Sequence, residues 1–261
     1  MASLNTSTYA IGDIHGGLKA LQQLLERLDY SDKDTFIFLG DYVDGWSESA
    51  QVIEYLIEFS KAHKCVFIKG NHDAWAEQWL RTGDVNQVWY LHGGKETMES
   101  YKNFTEDEKL EHLNFFETMK MFHIDEENRL FLHAGFTSMH GVLKEVNQET
   151  FYYDRTLWEM ALTMDKRILK DSILYPNRLK HYNEIYIGHT PTINFKEDQP
   201  MNAVNVWNVD TGAAFTGKLS AINIDTKEVF QSDEVMTFYP EETGRNNISY
   251  KKRIINFKRR L

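Results

Sequence analysis

Five short apolar runs in this chain each end in a residue that can bind a metal ion or move a proton, with a glycine beside it. They read Gly12-Asp13-Ile14-His15-Gly16, Gly40-Asp41-Tyr42-Val43-Asp44-Gly45, Gly70-Asn71-His72-Asp73, His133-Ala134-Gly135 and Gly188-His189-Thr190. Glycine lets the backbone turn sharply and approach a bound group. The donors are carboxylate, imidazole and amide, with no thiolate, and such a mixed set suits manganese, iron, zinc or magnesium. One such segment alone is weak, because a Gly-Asp after a strand is commonly a turn and a lone histidine commonly a packed or surface residue. Five in order are hard to read as unrelated loops.

The elements that must position them alternate strand and helix. Residues 9–11, 35–39 and 66–68 are apolar and β-rich. Leu18, Leu21, Leu24, Leu25 and Leu28 recur at helical spacing after the first run, and Val52, Ile53, Leu56, Ile57 and Phe59 after the second. Three strand–loop–helix units in series indicate an α/β layer, and open α/β sheets place ligands just beyond the carboxyl ends of their strands. Leu110, Leu113, Phe116 and Met119 predict one helical face, residues 157–169 a further helix, and 91–94 a loop between helices. Residues 130–132 and 185–187 read as strands. From Ala203 the pattern is β with turns, at 204–209, 219–224, 229–230 and 235–239, with Asp225-Thr226-Lys227 turning a hairpin. With no repeat, low-complexity tract or linker, residues 1–240 read as a single domain, followed by a tail or final strand at 241–261.

Composition bounds the partners. The chain has 261 residues, 42% of them apolar, enough for a full core. A net charge of −10 argues against a protein that coats nucleic acid. Lys251, Lys252, Arg253, Lys258, Arg259 and Arg260 nevertheless crowd the last stretch without an acid; a solvated end is the simpler reading, a docking tail for an acidic surface the other. No apolar run approaches the ~20 residues that span a bilayer, and residues 1–8 carry no secretory signal. Cys65 is the sole cysteine and has no internal partner. The expectation is a cytoplasmic protein without membrane or nucleic-acid partners.

The order GDIHG, GDYVD, GNHD, LHAG, GHT resembles the calcineurin-like metallophosphoesterases, and within them the bacterial serine/threonine-type phosphoprotein phosphatases. Residues 91–101 are similar to that family's Gly-Gly-x-x-Thr-x-x-Ser-Tyr segment, and Asp210-Thr211-Gly212-Ala213 with Gly217-Lys218-Leu219 to its late strand and turn. The resemblance implies a four-layer αββα fold, two mixed β-sheets packed face to face between helices. It implies two divalent metal ions, manganese first with iron or zinc as alternatives. Asp13 and His15 would bind the first, Asp41 would bridge both, and Asn71, His133 and His189 would bind the second. His72 would be the general acid, with Asp44 orienting and charging its imidazole. The physical logic agrees. Two cations about 3.5–4 Å apart clamp the attacking and leaving oxygens, and a hydroxide between them is the nucleophile. A poor leaving group needs a proton from an acid such as His72, and a nearby anion raises a histidine pKa. Asp44 could otherwise cap the helix starting near Trp46, and Asp73 is expected to cap the helix through Trp79.

The expected activity is phosphomonoester hydrolysis, on phosphoproteins first. Dinucleoside polyphosphates of the diadenosine-tetraphosphatase type, or phosphodiesters, are the alternatives. The non-enzyme alternative is a pseudophosphatase used as a binding module. The family usually reads Gly-Asp-x-Val-Asp-Arg-Gly, but here Gly45 and Trp46 follow Asp44. A second arginine common after Leu-Trp is also missing, since Leu157-Trp158 continues as Glu159-Met160. Both residues that would grip phosphate are therefore absent. Arg155 is the first candidate to replace them, before Arg178, Lys69 and Lys95. Trp46 could line the pocket or simply pack at a helix start. Restoring Gly45→Arg should favour monoesters, unless Gly45 has a positive φ.

Overall fold

The computed structural model describes residues 6–246, and the basic run at 251–260 lies outside them. In chain order the strands are β1 Thr8–Ile11, β2 Thr35–Phe38, β3 Lys64–Phe67, β4 Phe122–Ile124, β5 Arg129–Leu132, β6 Glu184–Ile187, β7 Met201–Ala203, β8 Val206–Asn208, β9 Lys218–Asn223 and β10 Val229–Glu234. The α-helices are α1 Leu18–Arg27, α2 Ser49–Ala62, α3 Asn71–Thr82, α4 Gln87–Trp89, α5 Lys95–Ser100, α6 Glu106–Thr118, α7 Thr150–Tyr153, α8 Thr156–Thr163 and α9 Asn177–Lys180.

One sheet has the order β10-β9-β1-β2-β3, the other β4-β5-β6-β8-β7. In the first, β1, β2 and β3 are parallel and β9 and β10 antiparallel additions. In the second, β5, β6 and β8 are parallel, with β4 and β7 antiparallel at the edges. Side chains alternate across a strand, and that period sorts the core into layers. Tyr9, Ile11, Phe36 and Phe38 face Leu21, Leu24, Val52 and Leu56 of α1 and α2. Ala10 and Ile37, on the other face, meet Phe131, Tyr186 and Ile222 between the sheets. Leu130, Leu132, Ile185 and Ile187 face Leu157, Trp158 and Leu179 of α8 and α9. The result is the αββα order, helix–sheet–sheet–helix. Each fully buried Phe or Ile in these layers contributes about 1.5–3 kcal/mol over an exposed one, so a charge at Ile37 would break the inter-sheet layer.

Four local expectations change. The buried face of α6 carries His112, Phe115 and Phe116, with Leu110 exposed, because Phe115 packs its ring 4.7 Å from that of Phe67 under β3. Residues 91–94 belong to a π-helical stretch, Tyr90–Gly94, kinked at His92 and Gly93, that links α4 to α5. α8 ends at Thr163, well short of 169, where Met164 turns extended. Val235–Phe238 is a 3-10 turn, not a strand.

Candidate metal centre

Every predicted donor leaves the carboxyl end of a parallel strand, and the two sheets bring these ends to one place. Asp13 and His15 follow β1, Asp41 and Asp44 follow β2, and Asn71 and His72 open α3 after β3. His133 follows β5 and His189 follows β6. The turns are tight: His15, Asp41, Asp44 and His189 have φ of 53°, 54°, 73° and 68°. Left-handed backbone costs about 1–3 kcal/mol per residue and persists only where the surroundings over-determine it. Those surroundings are visible. The N–H groups of Ile14 and His15 donate to the Asp41 carbonyl at 3.0 and 2.9 Å. The Asp73 carboxylate accepts from the Gly70, Asp41 and Tyr42 amides at 2.8, 2.7 and 2.9 Å. Asp73 therefore caps α3, as expected, and also holds the loop that carries Asp41. Gly70 is required for proximity, since a Cβ there would run into Asp41 Oδ1.

One oxygen, Asp41 Oδ2, stands 3.6 Å from His15 Nε2 and 3.3 Å from His133 Nε2. Asp13 Oδ2 is 3.9 Å from His15 Nε2, and His189 Nδ1 is 3.2 Å from His133 Nε2. Two donor groups result, His15, Asp41 and His72 on one side and Asp41, His133 and His189 on the other, sharing Asp41. Metal bonds of about 2.0–2.2 Å leave neighbouring donors about 3–3.5 Å apart, so these spacings suit a shared pair of ions. The histidines are set by second hydrogen bonds. His15 Nδ1 donates to the carbonyls of Asp44 and Val43 at 2.8 and 3.1 Å, and His133 Nδ1 to that of Leu39 at 2.7 Å. Each presents a bare Nε2 to the site. Asn71 Oδ1 is buried without a hydrogen-bond partner, the state of an oxygen meant for an ion.

The electrostatics agree. Burial, and then Asp210, pushes Asp13 well above the usual carboxylate range. Burial also lifts Asp73 to about 7 and Asp210 to about 6. Asp41 goes the other way: burial opposes its charge, but His133, His72 and His15 outweigh it. So many carboxylates crowded together suit divalent cations, often the largest charges in such a site. The residues fit a dinuclear centre.

His72 and Asp44 meet as predicted, with Nδ1 2.6 Å from Oδ2. Asp44 does not cap α2. Its carboxylate also accepts from Trp89 Nε1 at 2.7 Å and Thr97 Oγ1 at 2.5 Å. Burial pushes Asp44 up to about 8 and, with the Arg245 charge, pulls His72 well below its ordinary value.

The cations fall out differently. Arg155 is exposed at the start of α8, and its charge reaches His189, helping burial and His133 to lower it. Arg178 is occupied, donating to the Phe136 carbonyl at 2.7 Å and Thr156 Oγ1 at 3.0 Å, with Met160 Sδ beside it. Lys69 pairs with Glu77, and Lys95 is exposed on α5. Trp46 is wholly buried and donates to the Ala213 carbonyl at 2.8 Å, so it packs and does not line the pocket. Cys65 is half-buried, its thiol pushed up to about 12 by burial. The residue missed by sequence is Arg245, whose Nη1 lies 3.5 Å from His15 Nε2. Nothing in the local pattern around it could have pointed there.

Residues 6–215 match the model of the calcineurin-like phosphoesterase family, and the chain belongs to that family. It is thus a metallophosphoesterase, of a family built on a dinuclear divalent metal centre. The chain is 27% identical to the asymmetrical bis(5'-nucleosyl)-tetraphosphatase PrpE of Oceanobacillus iheyensis over 256 residues, 92% of this chain and 97% of that protein. It shares its fold with a candidate diadenosine tetraphosphatase, at a TM-score of 0.59 and 16% identity over 88% of this chain and 95% of that one. A serine/threonine phosphatase of Saccharomyces cerevisiae gives the same TM-score at 14% identity, over 89% and 82%. Among the described residues no helix is long and apolar enough to cross a membrane.

Proposed function

We propose that this chain is a metal-dependent hydrolase of dinucleoside tetraphosphates. The observation that carries the reaction class is the Asp41 oxygen set between His15 and His133, with His72 beside it. Asp13, His15 and Asp41 would hold one ion, and Asp41, Asn71, His133 and His189 the other. Bound there, two divalent cations, manganese by preference or iron or zinc, would polarise phosphoryl oxygens and activate water. Water adds across one P–O–P bridge: its oxygen ends on the attacked phosphorus, and the departing nucleotide leaves on the bridging oxygen. His72 would give that oxygen its proton, with Asp44 holding the ring through Nδ1.

The substrate choice departs from the sequence-based preference for phosphoproteins and takes up its dinucleoside alternative. The name of the curated relative supports this. So does the rim beside His72, where the Trp75 ring lies 5.1 Å from the His72 ring and 6.1 Å from that of Tyr153. Tyr153 is 41% exposed, leaving an aromatic face on which a base can stack, an interaction of about 1–3 kcal/mol per base. A phosphopeptide has no group that requires such a face. We place the work in the cytoplasm, within a single metallophosphoesterase domain.

The test is a metal-supplemented panel of a dinucleoside tetraphosphate, a phosphoserine peptide, a nitrophenyl monoester and a nitrophenyl diester. The tetraphosphate should give the highest kcat/KM, and Trp75→Ala should lower it for that substrate alone. A higher kcat/KM on the phosphopeptide would return the chain to the protein phosphatases.

A further inference from the structure

The arginine missing after Asp44 leaves a gap that the structure fills from far along the chain. Gly45 takes φ 126°, and a Cβ built on it would meet Arg245 Cγ at 3.4 Å. Arg245 thus lies over the position from which the relatives' arginine would project. Its guanidinium reaches to 3.5 Å from His15 Nε2 and lies over the Phe215 ring, 5.3 Å from its centre. Around it stand Asp41, Asp44, Asp210 and Asp13, yet among the described residues no carboxylate pairs with it. A part-buried cationic fork beside an acidic metal-type site, with no carboxylate on its donors among the described residues, is suited to a planar bidentate grip on phosphate.

The segment that carries Arg245 is strapped down by the other residue that departs from the family pattern. Trp46 stacks on Tyr239 at 5.3 Å and lies against Gly244. Ser47 donates to Glu242 from Oγ at 2.6 Å and from its amide at 3.0 Å, and the Tyr239 hydroxyl reaches Glu48. The Arg245 amide donates to the Ala214 carbonyl at 2.9 Å. Gly45 makes the room and Trp46 anchors the replacement, so one rearrangement accounts for both departures.

We propose that Arg245, delivered by the strap 239–246, is the substrate-phosphate clamp of this enzyme, on the His15 side of the site. The proposal rests on the phosphohydrolase reading but not on the choice of nucleotide. Arg155, exposed at the start of α8, sends its charge to His189 instead.

The experiment uses the full chain loaded with manganese and the variants Arg245→Lys and Arg245→Gln. Three readouts are taken: metal per chain, inorganic phosphate affinity by calorimetry, and kcat/KM for a nitrophenyl monoester and a dinucleoside tetraphosphate. Metal content should stay at the wild-type level. Phosphate affinity and kcat/KM should both fall about tenfold to a hundredfold in Arg245→Gln, the scale of a charge-assisted contact, and less in Arg245→Lys. Unchanged phosphate affinity would overturn the proposal. Raised activity would overturn it too, by showing that the guanidinium blocks the site. Phosphate affinity is read even where the tetraphosphate is not cleaved, so failure of the substrate choice leaves this result legible.

Discussion

Oδ2 of Asp44 lies 2.6 Å from His72 Nδ1 and takes the indole proton of Trp89 at 2.7 Å as well. With Thr97 on Oδ1, the buried carboxylate is saturated by three side chains from α3, α4 and α5. His72 is therefore held by a residue that cannot itself move, the condition for a positioned acid. His72→Ala should keep its metals and lose about 10²–10⁴-fold in rate, the range of general acid catalysis. The loss should be largest for an alkyl phosphate and small for a nitrophenyl ester, whose leaving group needs little protonation. Equal losses on both esters would argue against His72 as the acid.

Asp44→Asn tests the same link from the other side. The amide places an N–H where Trp89, Thr97 or His72 now donates, leaving one buried donor unpaired. Turnover should drop at least tenfold with both metals retained. Rates at the wild-type level would make Asp44 a purely structural residue.

Gly45→Arg, attractive from sequence, should fail. The position has φ 126°, where side chains are rarely tolerated, and the new chain would displace Arg245. Strain of about 1–3 kcal/mol falls on the loop between Asp41 and Trp46. Activity should drop about tenfold or more on monoesters and diesters alike. A selective gain on monoesters would show that the loop accepts arginine.

The fold and the donor set were largely legible because the information was local. Short continuous apolar runs, each followed by glycine and a donor, mark Asp13, His15, Asp41, Asn71, His133 and His189, and the sheets only had to gather them. Arg245 was not legible: its position depends on Trp46 stacking on Tyr239 and on Glu242 meeting Ser47, contacts across about 195 residues of chain. Residues 235–238 misled for a related reason. Their β-forming composition is overridden as the chain leaves β10, with the Val235 amide on the Gly217 carbonyl at 2.9 Å, to begin the strap.

Stability should carry its own pH signature, away from the metal site. His112 is 3% exposed against Tyr101, with Nδ1 2.9 Å from the hydroxyl oxygen. Burial lowers its imidazole from 6.5 to about 4. Between those values the unfolded chain binds the proton and the folded chain does not, so this stability is complete above about pH 6.5 and is lost as pH falls toward 4. The loss between pH 7.5 and 4.5 should be about 2–3 kcal/mol. Urea unfolding of wild type and His112→Gln across that range measures it. The variant should lose less on acidification, and parallel curves would contradict the assignment.

One oxygen, Asp41 Oδ2, stands between the two donor groups, 3.6 Å from His15 Nε2 and 3.3 Å from His133 Nε2. The direct measurement is metal content per chain, with turnover, in wild type and Asp41→Asn after identical loading with manganese. Wild type should hold two equivalents. The variant should lose occupancy at both sites, with turnover nearly abolished. Two full equivalents and normal turnover in Asp41→Asn would contradict a centre built around a shared Asp41.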